Sequence, residues 1–355
     1  MEENKPFLAV LIIQSIYAGY FFLTKVAFDV GMNTFVFVFY RQAAATLFLL
    51  PISIYFERKT APRLSFAVFM KIFMLSLFGI TMSLDTVGVA LKYTSASLGA
   101  ATSNTLPVIT FFLAVILRME KVNIKTSPGM MKIAGVTLCI GGVATIAFSR
   151  GPYLKLLMHN HLINNHKHQL QDQVPSANTW IKGVFLMLLS NFTWAMWLVL
   201  QGRVLKSYPS KLLLTTLQCL LSTIQSFLVA AAFVRDPAQW KLGWNIRLLS
   251  VAYCGIVVTG VTFYLQAWVI EKKGPVFLVI TTPLILIFTI VLSSFLFGEI
   301  ISLGSVLGAL LLVGGLYFVL WGKTKEEERA KGASQPNTDA EKACGGGSKG
   351  EIISS

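Results

Sequence analysis

The sequence predicts an all-α integral membrane protein of ten transmembrane helices, built as two inverted five-helix repeats. Three observations predict it. First, 55% of the 355 residues are hydrophobic and 13% are charged, about half the charged share of an ordinary soluble domain. Second, the apolar residues gather into ten stretches, each long enough to cross roughly 30 Å of hydrocarbon as a helix. Third, the last two stretches of each group of five share a pattern. Glu120 is followed by Gly135, Gly141 and Gly142, and Glu299 by Gly308, Gly314 and Gly315. Because five is odd, a second copy enters the membrane from the opposite face.

The first repeat, residues 1–149, holds helices over Phe7–Val26, Thr34–Tyr55, Ile72–Leu91, Ala96–Leu117 and Ile133–Ser149. Helix 1 is too long for the apolar part of a signal peptide and has a minimal basic leader, so it reads as an uncleaved span. Helices 2 and 3 each carry one charge in an apolar run, Arg41 and Asp85. Helix 4 opens with small and polar residues and contains Pro107; helix 5 carries the paired glycines. Residues 150–179 form a polar, non-cytosolic linker with all four histidines. Without an organising helix or sheet it reads as solvated chain rather than a metal site.

The second repeat, residues 180–322, holds helices over Trp180–Leu200, Leu212–Val234, Leu248–Val269, Val276–Phe297 and Ser302–Trp321. Tyr17-Ala18 of helix 1 echoes Trp194-Ala195 of helix 6, and Tyr20 echoes Trp197. Anchoring on the two glutamates sets Asn104 against Pro283 and Asp85 against Tyr264. Residues 323–355 read as a disordered cytosolic tail, rich in charge and then in Gly and Ser.

The net charge of +14 orients the chain and calls for no nucleic acid. Arg58, Lys59, Arg63 and Lys71 fall in one loop, and Arg118, Lys121, Lys125 and Lys132 around another, on the side of both termini. That is the positive-inside bias, with both termini cytosolic. Cys139, Cys219 and Cys254 fall inside spans and Cys344 in the tail; no spacing suits a disulfide framework, and no metal or cofactor is expected. The glycine and serine stripes serve close helix packing, within one subunit or across a homodimer. The sequon at Asn191 lies inside helix 6, where no glycan is expected.

An inverted repeat with broken helices is how secondary carriers place a site at mid-membrane. Pro107 and Pro283 interrupt helices 4 and 9 and free the carbonyls of Ser103 and Val279. Asn104, Thr281 and Thr282 lie beside these breaks. Charges inside a bilayer need a partner or a wet cavity. Lys25 snorkels to the outer edge, whereas Arg41 and Asp85 share a depth and form a pair that is either structural or substrate-directed. In the second reading Arg41 meets a carboxylate and Asp85 balances charge or accepts a proton. Tyr17, Tyr20, Trp194 and Trp197 would wall the cavity, and Gln14 and Gln266 are buried amides needing partners. No nucleophile–base set or phosphate loop appears, so an enzyme is not expected.

Phe39-Tyr40-Arg41, Asn104-Thr105-Leu106-Pro107, Arg118-Met119-Glu120-Lys121 and the closing run Leu303 to Gly308 and Gly315-Leu316-Tyr317 resemble the plant EamA-type transporters. These belong to the drug/metabolite transporter superfamily; the plant group is called UMAMIT, nodulin-like or walls-are-thin-related. The likeness runs from Met1 to about Lys325. It departs at Ile300, where a basic residue often follows Gly-Glu. The resemblance implies a ten-helix carrier of amino acids, exporting or bidirectional, in the plasma membrane rather than the vacuolar membrane. Auxin or a related metabolite is the alternative cargo. A receptor or scaffold without transport is the alternative of another class. The site expected is Arg41, Asp85, Asn104, Pro107, Tyr17, Trp194, Gln266, Thr281, Thr282 and Pro283.

Overall fold

The structure is a computed structural model. It describes residues 5–57, 64–93, 102–103, 105–119, 126–148, 153–154, 177–285, 287–289, 301–302 and 307–326, apart from 309, 312, 316, 320 and 323. Asn104, Glu120, Glu299, the four histidines and most of the linker and tail lie outside the described residues.

Among the described residues the helices are α1 (Lys5–Asp29), α2 (Thr34–Glu57), α3 (Phe66–Tyr93), α4 (Leu106–Ile116), α5 (Ser127–Phe148), α6 (Ala177–Ser207), α7 (Lys211–Phe233), α8 (Ile246–Lys273), α9 (Pro275–Thr289) and α10 (the described residues within 307–326). Six of them, α1, α2, α3, α6, α7 and α8, are long and apolar enough to cross a membrane. α4 and α9 are shorter apolar helices.

Polar side chains define several starts. Asn33 accepts from Phe35 N at 3.0 Å before α2, and Asn245 from Arg247 N at 3.0 Å before α8. Ser210 accepts from Leu213 N at 3.2 Å, and Glu57 at the end of α2 accepts from the same amide at 3.1 Å. Each satisfies amides that the first helical turn leaves unpaired. α6 runs to Ser207, past the apolar stretch that ends at Leu200. Val204 and Leu205 in this extension are buried against the core.

Equivalent helices of the two halves run antiparallel. Phe35 stacks on Phe233 with centroids 5.2 Å apart, Thr46 bonds Thr223 at 3.0 Å, and Glu57 reaches Leu213. Rising numbers on α2 thus meet falling numbers on α7. The glycine helices behave alike. Pro128 and Lys132 lie against Gly322, Gly135 against Gly315 and Val319, and Cys139 against Gly315. A Cβ on Gly135 would stand 2.6 Å from the carbonyl oxygen of Gly315, and one on Gly315 equally close to that of Gly135. Only glycine allows such backbone contact. Lys132 also pairs with Glu326, and Tyr153–Leu154 pairs antiparallel with Ile301–Ser302 beyond the other end of α5.

The remaining contacts obey the same pseudo-twofold exchange. α1 lies beside α8 as α6 lies beside α3, and α4 meets its sister α9. α3 and α8 each contain a π-helical stretch, Leu75–Thr81 and Tyr253–Val261. Setting Asp85 against Tyr264 maps the first stretch inside the second. Each widened turn brings its helix against the second helix of the opposite half. Ser76 donates to the carbonyl of Gln218 at 2.6 Å. At the equivalent contact, a Cβ on Gly255 would lie 2.8 Å from the carbonyl oxygen of Arg41.

Candidate functional site

Between the halves lies a cavity of about 80 Å³. α1 contributes Gln14, Tyr17, Tyr20 and Phe21; α2 contributes Arg41; α3 contributes Ser83, Leu84 and Val87. From the other half come Ser190, Asn191, Trp194 and Leu198 of α6, Gln266 of α8, and Leu278, Val279, Thr282 and Ile285 of α9. Ser103 and Leu106, at the break before α4, complete the wall.

Arg41 is the one charge among these lining residues. It is 1% exposed. Its Nε donates to Thr259 Oγ1 at 2.7 Å, and its guanidinium carbon sits 4.8 Å from the ring centroid of Tyr20. No carboxylate among the described residues pairs with it. A buried cation held by one hydroxyl and one ring face is incompletely compensated. The aromatic wall continues through Tyr17, whose hydroxyl accepts from Gln266 Nε2 at 3.1 Å, and Trp194, which packs on Trp197 and Phe263.

The breaks in α4 and α9 are built alike. Thr105 turns back on Thr102: its N donates to Thr102 O at 3.0 Å and its Oγ1 at 2.8 Å. Thr281 does the same to Leu278 O, at 3.4 and 2.7 Å. A buried amide from the opposite half closes each turn. Asn191 Nδ2 donates to Thr102 O at 2.8 Å and Thr105 Oγ1 at 3.2 Å. Gln14 Nε2 donates to Leu278 O at 3.5 Å and Thr281 Oγ1 at 2.7 Å. Polar turns at membrane depth are tolerated only where protein satisfies them, and these are.

The EamA-like transporter family matches residues 4–148 and 181–321, most of the chain. The chain belongs to that family. Two WAT1-related proteins of Arabidopsis thaliana are similar along nearly their whole length. One is 57% identical over 334 residues, 93% of each chain, and another 48% identical over 328 residues, 92% of this chain and 94% of its own. A crystal structure 14% identical in sequence covers 90% of this chain and 96% of its own with a TM-score of 0.64, which shows a shared fold. This EamA-like protein is thus an integral multi-pass membrane transporter of small solutes, and not an enzyme.

Of the residues the sequence singled out in this EamA-like chain, Tyr17, Arg41, Trp194, Gln266 and Thr282 line the cavity. Thr281 stands behind the wall as the acceptor of Gln14. Pro107 and Pro283 are buried and do not line it; each lies in the first turn after its break. Asn104 lies outside the described residues. Trp197 is not part of this wall.

Three expectations need correction. Arg41 does not pair with Asp85, and Asp85 does not line the cavity. At about 100° per residue, position 85 lies about 160° around the helix from Ser83 and from Val87 and about 100° from Leu84, the three residues of α3 that do. Equal depth said nothing about azimuth. The carbonyls that receive side chains at the breaks are those of Thr102 and Leu278, rather than Ser103 and Val279. A tight i to i+3 turn claims the carbonyl of Val279 through Thr282 N at 3.0 Å. Finally, the hydrogen bonds set Thr105 against Thr281, and so Pro107 against Pro283. The glutamates misled because Glu120 follows Pro107 by 13 residues and Glu299 follows Pro283 by 16.

Sequence reasoning passed over Ser83, Ser190 and Asn191. The two serines exchange bonds, Ser190 Oγ to Ser83 O at 2.9 Å and Ser83 Oγ to Ser190 O at 3.2 Å. The signal for Asn191 was present: extending the match of Tyr17 with Trp194 by one turn sets Gln14 against Asn191.

Proposed function

We propose that this protein carries amino acids by alternating access, with the cavity between its halves as the site. The observation that supports this reading is Arg41, a buried guanidinium with no carboxylate partner among the described residues. A substrate carboxylate supplies the missing anion and accepts from the guanidinium in a forked geometry. The substrate ammonium sits against the faces of Tyr17 and Trp194 and the hydroxyl of Thr282. The two amide-closed turns act as the hinges of α4 and α9, so that one half rocks against the other. The chain works as an exporter or bidirectional facilitator in the plasma membrane, with both termini cytosolic, as its basic loops suggest.

The test is flux of labelled amino acids in sealed proteoliposomes of known orientation. Arg41→Ala should abolish flux, and Arg41→Lys should restore little of it, because an ammonium lacks the planar fork that bonds Thr259 through Nε and still offers a carboxylate two parallel donors. Normal flux through a monodisperse Arg41→Ala protein would refute the reading. The aromatic wall supports a second cargo, auxin or another indole acid, which shares the carboxylate and adds a flat ring. Competition between indole-3-acetate and amino acids in the same vesicles separates the two.

A further inference from the structure

A second concavity lies on the outer flank of the bundle, between α3 and α6, with a volume of about 780 Å³. Phe78 and Phe192, 54% and 46% exposed, form its walls, and the buried ring of Trp197 forms part of its floor. Gly79 keeps that floor open to close approach: a Cβ there would lie 2.6 Å from Trp197 Cδ1. One end is basic and polar, with Lys71, Arg203 and Ser207. Phe78 is seven residues from Lys71 along α3, and Phe192 eleven from Arg203 along α6. At 1.5 Å per residue the groove runs about 10–16 Å from the cations into the apolar belt.

We infer that this groove binds an anionic phospholipid of the cytosolic leaflet, its phosphate at Lys71 and Arg203 and one acyl chain along Phe78 and Phe192. The groove is concave, apolar along its length and cationic at one end, which complements such a lipid in both charge and polarity. That end is on the face that the positive-inside bias makes cytosolic, where anionic lipids concentrate. Lys71 has no partner among the described residues. Arg203 reaches the carbonyl of Leu117 through Nη2, and its fork retains further donors.

The sister surface argues that the groove is not a by-product of the fold. At the equivalent contact of α1 with α8, Tyr253 stands where Met74 does and packs against Gly19. Its hydroxyl donates to Ile16 O at 3.0 Å. Ser250 stands where Lys71 does and donates to Leu23 O at 3.1 Å. At these two positions the sister surface thus carries side chains that bond the neighbouring helix, in place of the Lys71 and Met74 that line the groove.

The test is native mass spectrometry of the full chain in detergent, titrated with phosphatidylserine or phosphatidylcholine of identical acyl chains. The wild type should retain one phosphatidylserine with about fivefold preference over phosphatidylcholine, the effect of one cation at an anionic surface. Lys71→Gln, at an exposed position, should remove that preference. Leu200→Trp, which fills the groove, should remove both lipids. Equal binding of the two lipids by wild type, or an undiminished preference in Lys71→Gln, overturns the inference. So does a dimer that excludes lipid and is split by Leu200→Trp, which would assign the groove to a second copy of the chain.

Discussion

Gln14 and Asn191 are the same residue position in two copies of one unit. Each buried amide crosses to the opposite half and closes the turn that breaks its fourth helix, Gln14 on Leu278 and Thr281, Asn191 on Thr102 and Thr105. The exchange locks the two halves together at the cavity wall. It also makes each break a satisfied hinge rather than an open defect.

Removing one amide should leave a buried threonine turn short of a donor. Gln14→Leu and Asn191→Leu should each destabilise the protein by about 1–3 kcal/mol, read as a lowered melting temperature in detergent. Each should also cut flux more than ligand affinity, because the hinge and not the substrate loses its partner. Variants with unchanged melting and turnover would show that the amides are idle.

Thr259 holds the Nε of Arg41. Thr259→Val removes the hydroxyl at nearly constant volume. It should raise the KM for substrate by about ten- to a hundredfold, the worth of a hydrogen bond to a charged group, with little change in expression. A change in maximal rate alone would argue that the guanidinium keeps its aim without Thr259.

Asp85 points away from the cavity, so Asp85→Asn should leave the KM for amino acids unaltered. It should also leave the response of flux to an imposed pH gradient as in wild type. Loss of a pH-driven component would bring the carboxylate back into the transport cycle.

The glycine pattern common to both halves conceals two roles. Gly135 and Gly315 touch backbone to backbone, whereas Gly141 and Gly314 have open space within 4 Å of where a Cβ would stand. Gly135→Ala should therefore cost about 1–3 kcal/mol by overpacking. Gly141→Ala should be neutral or slightly stabilising, through better helix propensity. Thermal melting of the two variants side by side checks this.

Much of the fold could be read directly. The apolar runs located the helices, because lipid allows few other uses for such stretches. The echo of Tyr17-Ala18 in Trp194-Ala195 marked sister helices, and the opposed directions of α2 and α7 agree with it. The aromatic wall and Arg41 were legible as polar or bulky exceptions in apolar helices. Asn191 was hidden by its sequon, and Ser83 and Ser190 by their size. The π-helical turns left no mark in the pattern. They add a residue to one turn without changing composition, and their presence in both halves became visible only in the backbone.

The sequence by itself determined that this chain is a membrane-embedded, twofold-repeated carrier. Hydropathy, odd repeat length and paired prolines are properties of the chain's order alone. Which side chains meet was decided only by tertiary structure. Depth can be counted along a helix, but azimuth depends on every residue of twist between the membrane edge and the site. Asp85 matches Arg41 in depth and lies on the far side of its helix, while Thr259, unremarked in the sequence, holds the guanidinium.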